Sequence, residues 1–350
     1  MKTILKNARL HKGLMVREVA QSLGIDQALV SKFESGTRKP TREQLVLLAQ
    51  ILGLDERSLK IQWLKEKVLY EIGEDEFGLE ALQFAEQELR MQQPQKLKDI
   101  YPKSIKSVLA SIDKLHKKLV SIRQFDSYRI AQALELEYTF ESNRIEGNTL
   151  TLKETDLVIN EGLTISGKSM REHLEAINHN DAIAFMKQLA EKDTVLLNRE
   201  LLGIHQLVLR GIDDANAGKF RGVQVMIKGS RHVPPPPYLV AKQMEDYFLW
   251  CQANYKKIHP VVLAAEMHER LVTIHPFIDG NGRTSRLIMN LILLQHGYVI
   301  ANIKGDSKSR MAYYSALEAA QADGNKEAFI LLVAQYEMAA LERYLKILQG

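Results

Sequence analysis

The sequence predicts an all-α fold: a helical domain carrying one small β-hairpin, joined to an N-terminal domain of short helices. Three observations lead there. Apolar residues recur every three or four positions almost throughout the 350-residue chain. A period-2 alternation is confined to Val223, Val225 and Ile227. Charge is unevenly spread, since residues 1–65 hold 12 Lys/Arg against 6 Asp/Glu and the remainder holds 35 against 37. A basic end on a near-neutral body marks the part that seeks a polyanionic partner. No apolar run approaches the roughly 18 residues of a membrane span, and the opening MKTILKNARLHKG has lysines but no apolar h-region. The single cysteine, Cys251, excludes an internal disulfide and a cysteine-ligated zinc site, which fits a reducing, cytoplasmic setting.

Residues 1–65 read as a domain of short helices. Val16, Val19, Ala20 and Leu23 share one helical face, and Gly24-Ile25-Asp26 supplies the turn. Asp26 is placed to cap a helix carrying Leu29, Val30 and Phe33. Leu45, Leu48, Ala49 and Leu52 form a further helix that ends at Gly53. A short helix, a glycine turn and a second helix make the helix-turn-helix outline. The run GLMVREVAQSLGIDQALVSKFESGTRKPT resembles the phage-repressor-like helix-turn-helix family. That resemblance implies a DNA-binding domain in which Gln27, Ala28, Ser31 and Lys32 face the major groove and Arg17, Arg38 and Lys39 approach phosphates. It also implies a homodimer on paired half-sites. Met15 and Val16 stand where the family usually has a Ser/Thr cap and a phosphate-binding Gln. The alternative use of the same fold is a small protein-interaction module.

Residues 66–103 read as a helical connector, with an acidic patch at Glu74-Asp75-Glu76 and a polar end at 91–98. From 104 the chain is helical again, with Val108, Ile112, Leu115, Leu119 and Ile122 on one face. Ile130, Leu134, Tyr138, Ser142 and Glu146 then step in fours, so Ser142 and Glu146 share a face with core residues. Glu146 falls in the last turn, against the negative end of the helix dipole, which costs a few tenths of a kcal/mol and asks for a cation from elsewhere. Further helices are expected at 173–189, 200–209, 311–322 and 326–348. Residues 220–238 give the hairpin: a strand through Val223 and Ile227, a turn at Lys228-Gly229-Ser230, and a return from His232 that four prolines cut short. A free hairpin edge can pair with an extended peptide.

The chemistry concentrates in HPFIDGNGRTSR, residues 275–286. Pro276 keeps His275 out of the α region, so the helix carrying Val261, Val262, Ala265, Leu271, Val272 and Ile274 must stop there. A second buried helix follows through Leu287, Ile288, Leu291, Ile292 and Leu294, closed by Gly297. The loop thus runs into a helix N-terminus, where backbone N–H groups are free and an anion is welcome. Gly280 and Gly282 around Asn281 allow a backbone nest for phosphate oxygens. Arg283 and Arg286, three apart, project to one side; cations at a helix N-terminus make sense with a polyanion between them. Asp279 is a hard oxygen ligand suited to Mg²⁺. His275 is a base near neutral pH, and Phe277 pins the loop to the core. The residues alone point to metal-assisted phosphoryl or nucleotidyl transfer.

The same twelve residues match in full the signature H-x-F-x-[DE]-G-N-G-R-x-x-R, and residues 105–345 resemble the Fic family. That resemblance implies a helical Fic domain over 104–350 with a flap at 220–238. It implies transfer of AMP from ATP to a Ser, Thr or Tyr hydroxyl of a target protein, or of the chain itself, with release of pyrophosphate. On that basis His275 is the general base and Asp279 holds Mg²⁺. Gly280, Asn281 and Gly282 cradle the α- and β-phosphates, Arg283 and Arg286 hold the β- and γ-phosphates, and Thr284 and Ser285 complete the loop. Gly229, Ser230, Arg231 and His232 of the flap align the target and touch the nucleotide, and Tyr313 lies on the adenine side. Ser142-Asn143-Arg144-Ile145-Glu146-Gly147 fits the inhibitory motif [ST]-x-x-x-E-[GN] of the class II subgroup. It places an inhibitory helix at about 128–147, whose Glu146 pairs bidentately with Arg286 and blocks the γ-phosphate. Gly282 argues against the kinase-like subgroup, which tends to carry lysine there. The alternatives on this fold are AMP removal, transfer of another phosphate-containing group, or a transcriptional regulator that only senses nucleotide.

Overall fold

The computed structural model describes residues 2–73, 75–92, 101–122, 128–192 and 194–349. Glu74 of the acidic patch and the polar end of the connector beyond residue 92 lie outside the described residues, as do 123–127. Sixteen helices and no strand are present among the described residues. The chain divides into two compact units, Met1–Glu86 and Gln87–Gly350.

The first unit packs α1 (Lys2–His11), α2 (Val16–Leu23), α3 (Gln27–Ser35), α4 (Arg42–Leu52) and α5 (Glu56–Ile72) around Leu5, Val19, Val30, Phe33, Leu45, Leu48 and Trp63. The turn between α2 and α3 forms because Gly24 adopts φ 64° and Asp26 then caps α3, accepting from the Ala28 N–H at 2.5 Å. Arg17, Gln27, Ala28, Ser31, Lys32 and Arg38 are all exposed, as a groove-reading face requires. Lys39 differs from the expectation: its ammonium donates to the Glu66 carbonyl at 2.8 Å and lies over the Tyr70 ring, so it staples α5 rather than facing outward. α5 runs unbroken past residue 65, and α6 (Gly78–Gln92) follows.

The second unit comprises α7 (Lys103–Ile122), α8 (Tyr128–Ile145), α9 (Leu152–Asn160), α10 (Met170–Ala190), α11 (Asn198–Leu209), α12 (Pro237–Asn254), α13 (Pro260–Ile274), α14 (Asn281–Gln295), α15 (Ser307–Ala322) and α16 (Glu327–Gln349). α13 and α14 form its centre, packed on each other, with α10 and α11 against α14, and α16 against α13. Both central helices are buried almost all round, and the polar side chains they bury, such as Glu266, Arg270, Arg283 and Arg286, are held among apolar neighbours. α14 ends as its glycine predicts: Gly297 has φ 78°, its N–H reaches the Leu294 carbonyl, and the Tyr298 N–H reaches Leu293.

The expected hairpin does not form a ladder. Residues 220–236 contain a turn, closed by the Ser230 N–H on the Ile227 carbonyl with Gly229 at φ 81°, but no strand. The return arm is proline at 234–237, which leaves no N–H to donate. Side chains bridge the arms instead: Arg221 Nη2 donates to the Pro235 carbonyl at 2.6 Å, and Gln224 Nε2 to the Pro234 carbonyl at 2.9 Å.

Candidate active site

α13 stops at Ile274 because Pro276 cannot continue it, and His275 turns the chain with φ 49° and ψ 58°. It is the one non-glycine residue at positive φ among the described residues. A left-handed conformation without glycine is strained, and strain of this kind marks positions that surrounding contacts over-determine. Those contacts are visible. Arg221, 3% exposed, donates from Nε to the His275 carbonyl at 2.8 Å and from Nη1 to Val223, and its N–H reaches the Pro276 carbonyl. Phe277 is fully buried and stacks on His205 with centroids 3.6 Å apart. His205 Nε2 donates to the Asp279 carbonyl at 3.0 Å, while its Nδ1 accepts from the Gly218 N–H. The Asn281 side chain pairs with both backbone groups of Phe277, at 3.0 and 2.8 Å. The loop is therefore fixed before any ligand arrives.

Within that frame the His275 Nδ1–H donates to the Val272 carbonyl at 3.3 Å, which leaves Nε2 with its lone pair. Burial, with Arg221 and His232 nearby, lowers its pKa to about 4, so the ring is a neutral acceptor at neutral pH. Asp279 has a half-exposed side chain. Burial raises its pKa, but Arg283, the Gly280 N–H and Arg171 outweigh that and hold the carboxyl below its ordinary value. Arg171 of α10 pairs with Oδ2, and the Gly280 N–H donates to Oδ1 at 2.6 Å.

Gly280 caps α14 at φ 77°, and a Cβ there would press on Val208 and His205. At Gly282 an added Cβ would overlap Glu146 Oε1, the tip of a flexible side chain, and lie 3.2 Å from Arg286 Nη1. Arg283 is buried beside Glu175, with 3.3 Å between Nη1 and Oε1. Its Nε and Nη1 nonetheless make no hydrogen bond, an unusual state for a buried guanidinium. Arg286 is fully enclosed; its Nε donates to Ser142 Oγ at 3.0 Å, and its Nη2 to the Ser142 carbonyl at 2.9 Å and to Glu146 Oε1 at 2.7 Å. Glu146 thus meets Arg286 through one oxygen and not the bidentate pair expected, because Ser142 takes the Nε edge. Glu146 also falls just past α8, where the chain turns at Gly147 with φ 98°.

Several expected ligand contacts have other partners. Tyr313 is 2% exposed, with its hydroxyl between His268 Nε2 (3.1 Å) and Arg286 Nη1 (3.5 Å), so its ring has no open face for adenine. Tyr314, 42% exposed, is the neighbour that remains open, with its hydroxyl donating to the Ile145 carbonyl. Thr284 and Ser285 are fully buried, and Ser285 Oγ donates back to the Asn281 carbonyl. In the flap, His232 is buried and its Nε2 donates to the Thr273 carbonyl at 2.8 Å. Ser230 Oγ and the Arg231 N–H and Nε donate to Glu318 of α15, and Arg231 also pairs with Asp323. These groups pin the flap, whose exposed apolar side chains are Val223, Met226 and Val233.

The residues fit a nucleoside triphosphate with Mg²⁺: one half-exposed carboxylate, glycines where a Cβ would crowd the loop, and a buried arginine with unspent donors. A single carboxylate suffices, since Mg²⁺ completes its octahedron with phosphate oxygens and water.

The Fic/DOC family profile matches residues 196–293, which hold the flap and the glycine loop, and a helix-turn-helix profile matches residues 5–59. The protein adenylyltransferase Fic of Drosophila willistoni is 35% identical over 240 residues, 68% of this chain and 47% of the relative. That of Nematostella vectensis is 35% identical over 242 residues, 68% and 56% of the two chains. The chain spans about half the length of these curated relatives. Fic-1 (residues 134–508) from C. elegans superposes with a TM-score of 0.60 at 26% identity, over 95% of this chain and 98% of that one. A Fic family protein from Desulfovibrio desulfuricans G20 gives 0.61 at 26% identity, over 71% and 75%.

Proposed function

This chain carries a Fic/DOC-family domain behind a helix-turn-helix domain, and from that premise we propose that it is an autoinhibited protein adenylyltransferase. The observation that carries the reading is the position of Glu146. Its carboxylate lies over Gly282 and on Arg286, in the space where the phosphates of ATP would rest, while His275 stands across the loop as a neutral base.

In the reaction, a Ser, Thr or Tyr hydroxyl of the target gives its proton to His275 Nε2. Its oxygen forms a bond to the α-phosphorus, the bond from that phosphorus to the bridging oxygen of the β-phosphate breaks, and pyrophosphate leaves with the electron pair. The N–H groups at the start of α14 and the guanidinium of Arg283 hold the charge that develops on the leaving group. Mg²⁺ on Asp279 would add charge neutralisation of the phosphate oxygens. The exposed Val223, Met226 and Val233 offer the target segment an apolar landing on the flap. With Glu146 in place, Arg286 is unavailable to the terminal phosphate, so nucleotide sits out of line for attack. The helix-turn-helix domain binds DNA through α3, with Arg17 and Arg38 on phosphates.

The test uses ATP radiolabelled at the α- or the γ-phosphate. We expect α-label on protein with Glu146→Gly, little with the wild type and none once His275→Ala is added. Label from the γ position, or equal α-label in wild type and Glu146→Gly, would falsify the reading.

A further inference from the structure

α8 is docked by carboxylates. Glu135 pairs with Lys187 of α10 at 2.5 Å, and Glu137 with Lys304 at 2.7 Å and with Arg343 of α16. Glu141 accepts from the Gly305 N–H at 2.7 Å and lies 3.5 Å from Lys304. Glu146, beyond the helix end, holds Arg286. Every acidic side chain from 135 to 146 is thus spent on a cation or N–H from another element.

The first of these pairs borders a cavity of about 350 Å³ that is separate from the glycine loop. Its walls are apolar, with Leu134 on α8, Leu294 on α14, Ile300, and Ala340 on α16. Its charged lining is Lys187, Lys304, Arg343 and Glu135, with Glu137 and Glu141 just behind it pairing with Lys304 and Arg343. These cations are at its rim, since their side chains are 41%, 33% and 52% exposed. Asn302 also lines it, and its Oδ1 is buried without a hydrogen-bond partner.

We propose that this cavity is an effector site for a free amphiphilic monocarboxylate, whose head group takes the cations from Glu135 and Glu137 and so frees α8 from its restraint on Arg286. The proposal rests on the reading of Glu146 as inhibitory. The apolar walls select a hydrocarbon body, and the three cations at the rim, held only by half-exposed ion pairs, select an anionic head. The volume holds about a dozen water-sized groups at about 30 Å³ each. Ion pairs at half-exposed sites are weakly held, so a ligand that also buries a chain can outcompete them. Coupling needs a difference in affinity between two states. It arises here because the head group can bind Lys304 and Arg343 fully only when Glu137 has let go.

Decanoate, with ten carbons and two oxygens, is the probe, and decylammonium is its control. With the full-length protein, calorimetry should show saturable one-to-one binding of decanoate and none of decylammonium. Hydrogen exchange over 139–147 and α-label from ATP should each rise about tenfold on adding decanoate. Ala340→Phe should abolish binding with its basal rate unchanged. Lys304→Gln with Arg343→Gln should raise label without decanoate and weaken decanoate binding at least about tenfold. Absence of saturable binding, equal binding of decylammonium, or binding that leaves exchange over 139–147 unchanged overturns the proposal. Glu146→Gly should be labelled already and respond no further. If it takes no label, the catalytic reading has failed, and calorimetry with hydrogen exchange still decides the effector site.

Discussion

Arg286 has donors for Ser142, Glu146 and Tyr313, and in the proposed reading a γ-phosphate displaces one of them. Glu146 is the partner that reading releases, having the most exposed side chain of the three, at 32%. A hydrogen bond between charged groups is worth about 1.5–3 kcal/mol, so Glu146→Gly should raise the initial rate of α-label transfer by about 10- to 150-fold. His275→Ala in that background should lower it by about 10²- to 10⁴-fold, the range for a lost general base. Because burial lowers the His275 pKa to about 4, and the Glu146 carboxylate that raises it is gone in Glu146→Gly, the acid limb of kcat/KM for that variant should fall at or below about pH 4 and not near 6.5. The same depression means that the neutral ring's contribution to stability is complete above pH 6.5 and is lost as pH falls through about 4. Gly282→Ala should separate two roles of one position. The methyl group would evict Glu146 and crowd the phosphates at once, so relief without turnover is expected: unchanged background label and weaker ATP binding by calorimetry. His275, Asp279 and the Glu146–Arg286 pair were legible in the sequence because a short motif and a helical phase fix them. Arg171, Glu175, His205 and Arg221 were not. They reach the loop from 54 to 108 positions away, through chain reversals that no local spacing records.

Among the elements, most helices followed from their patterns, α9 and α12 were not read from the sequence, and the flap did not form the expected strands. Alternation at Val223, Val225 and Ile227 gives an extended arm, but a ladder needs a donating partner, and the prolines have none. The order of the flap rests instead on Arg221, which ties Val223, Pro235 and His275 together. Arg221→Met leaves three carbonyls unpaired at roughly 1–3 kcal/mol each if they stay buried. We therefore expect faster hydrogen exchange over 222–236, a lower Tm and a kcat loss larger than any change in ATP affinity. Normal exchange in that variant would show that the flap is held elsewhere. The tyrosine pair on α15 teaches helical phase. Adjacent residues lie about 100° apart around a helix, so one ring must turn inward, and the sequence does not say which. Tyr313 turned in behind Arg286, leaving Tyr314 half open.

Over the whole chain, the division into two units falls between Glu86 and Gln87, within the 66–103 span that the sequence reads as a connector. The basic surplus lies in residues 1–65, within the first unit, where Arg17 and Arg38 are exposed. Each phosphate contact adds about 0.9 to the slope of log affinity against log salt. Replacing both with Gln should therefore reduce that slope by about two in a gel-shift titration with the protein's own promoter DNA. An unchanged slope would assign the unit to protein partners. The restraint on the second unit is also a property of the chain. Glu146 is delivered to Arg286 by α8 and does not arrive by diffusion, so in the proposed autoinhibition it acts as a tethered ligand at an effective concentration set by the fold. Nucleotide in solution would compete against that fixed quantity. An ATP titration of the wild type should accordingly level off far below the Glu146→Gly plateau, a ceiling on turnover that added substrate does not lift.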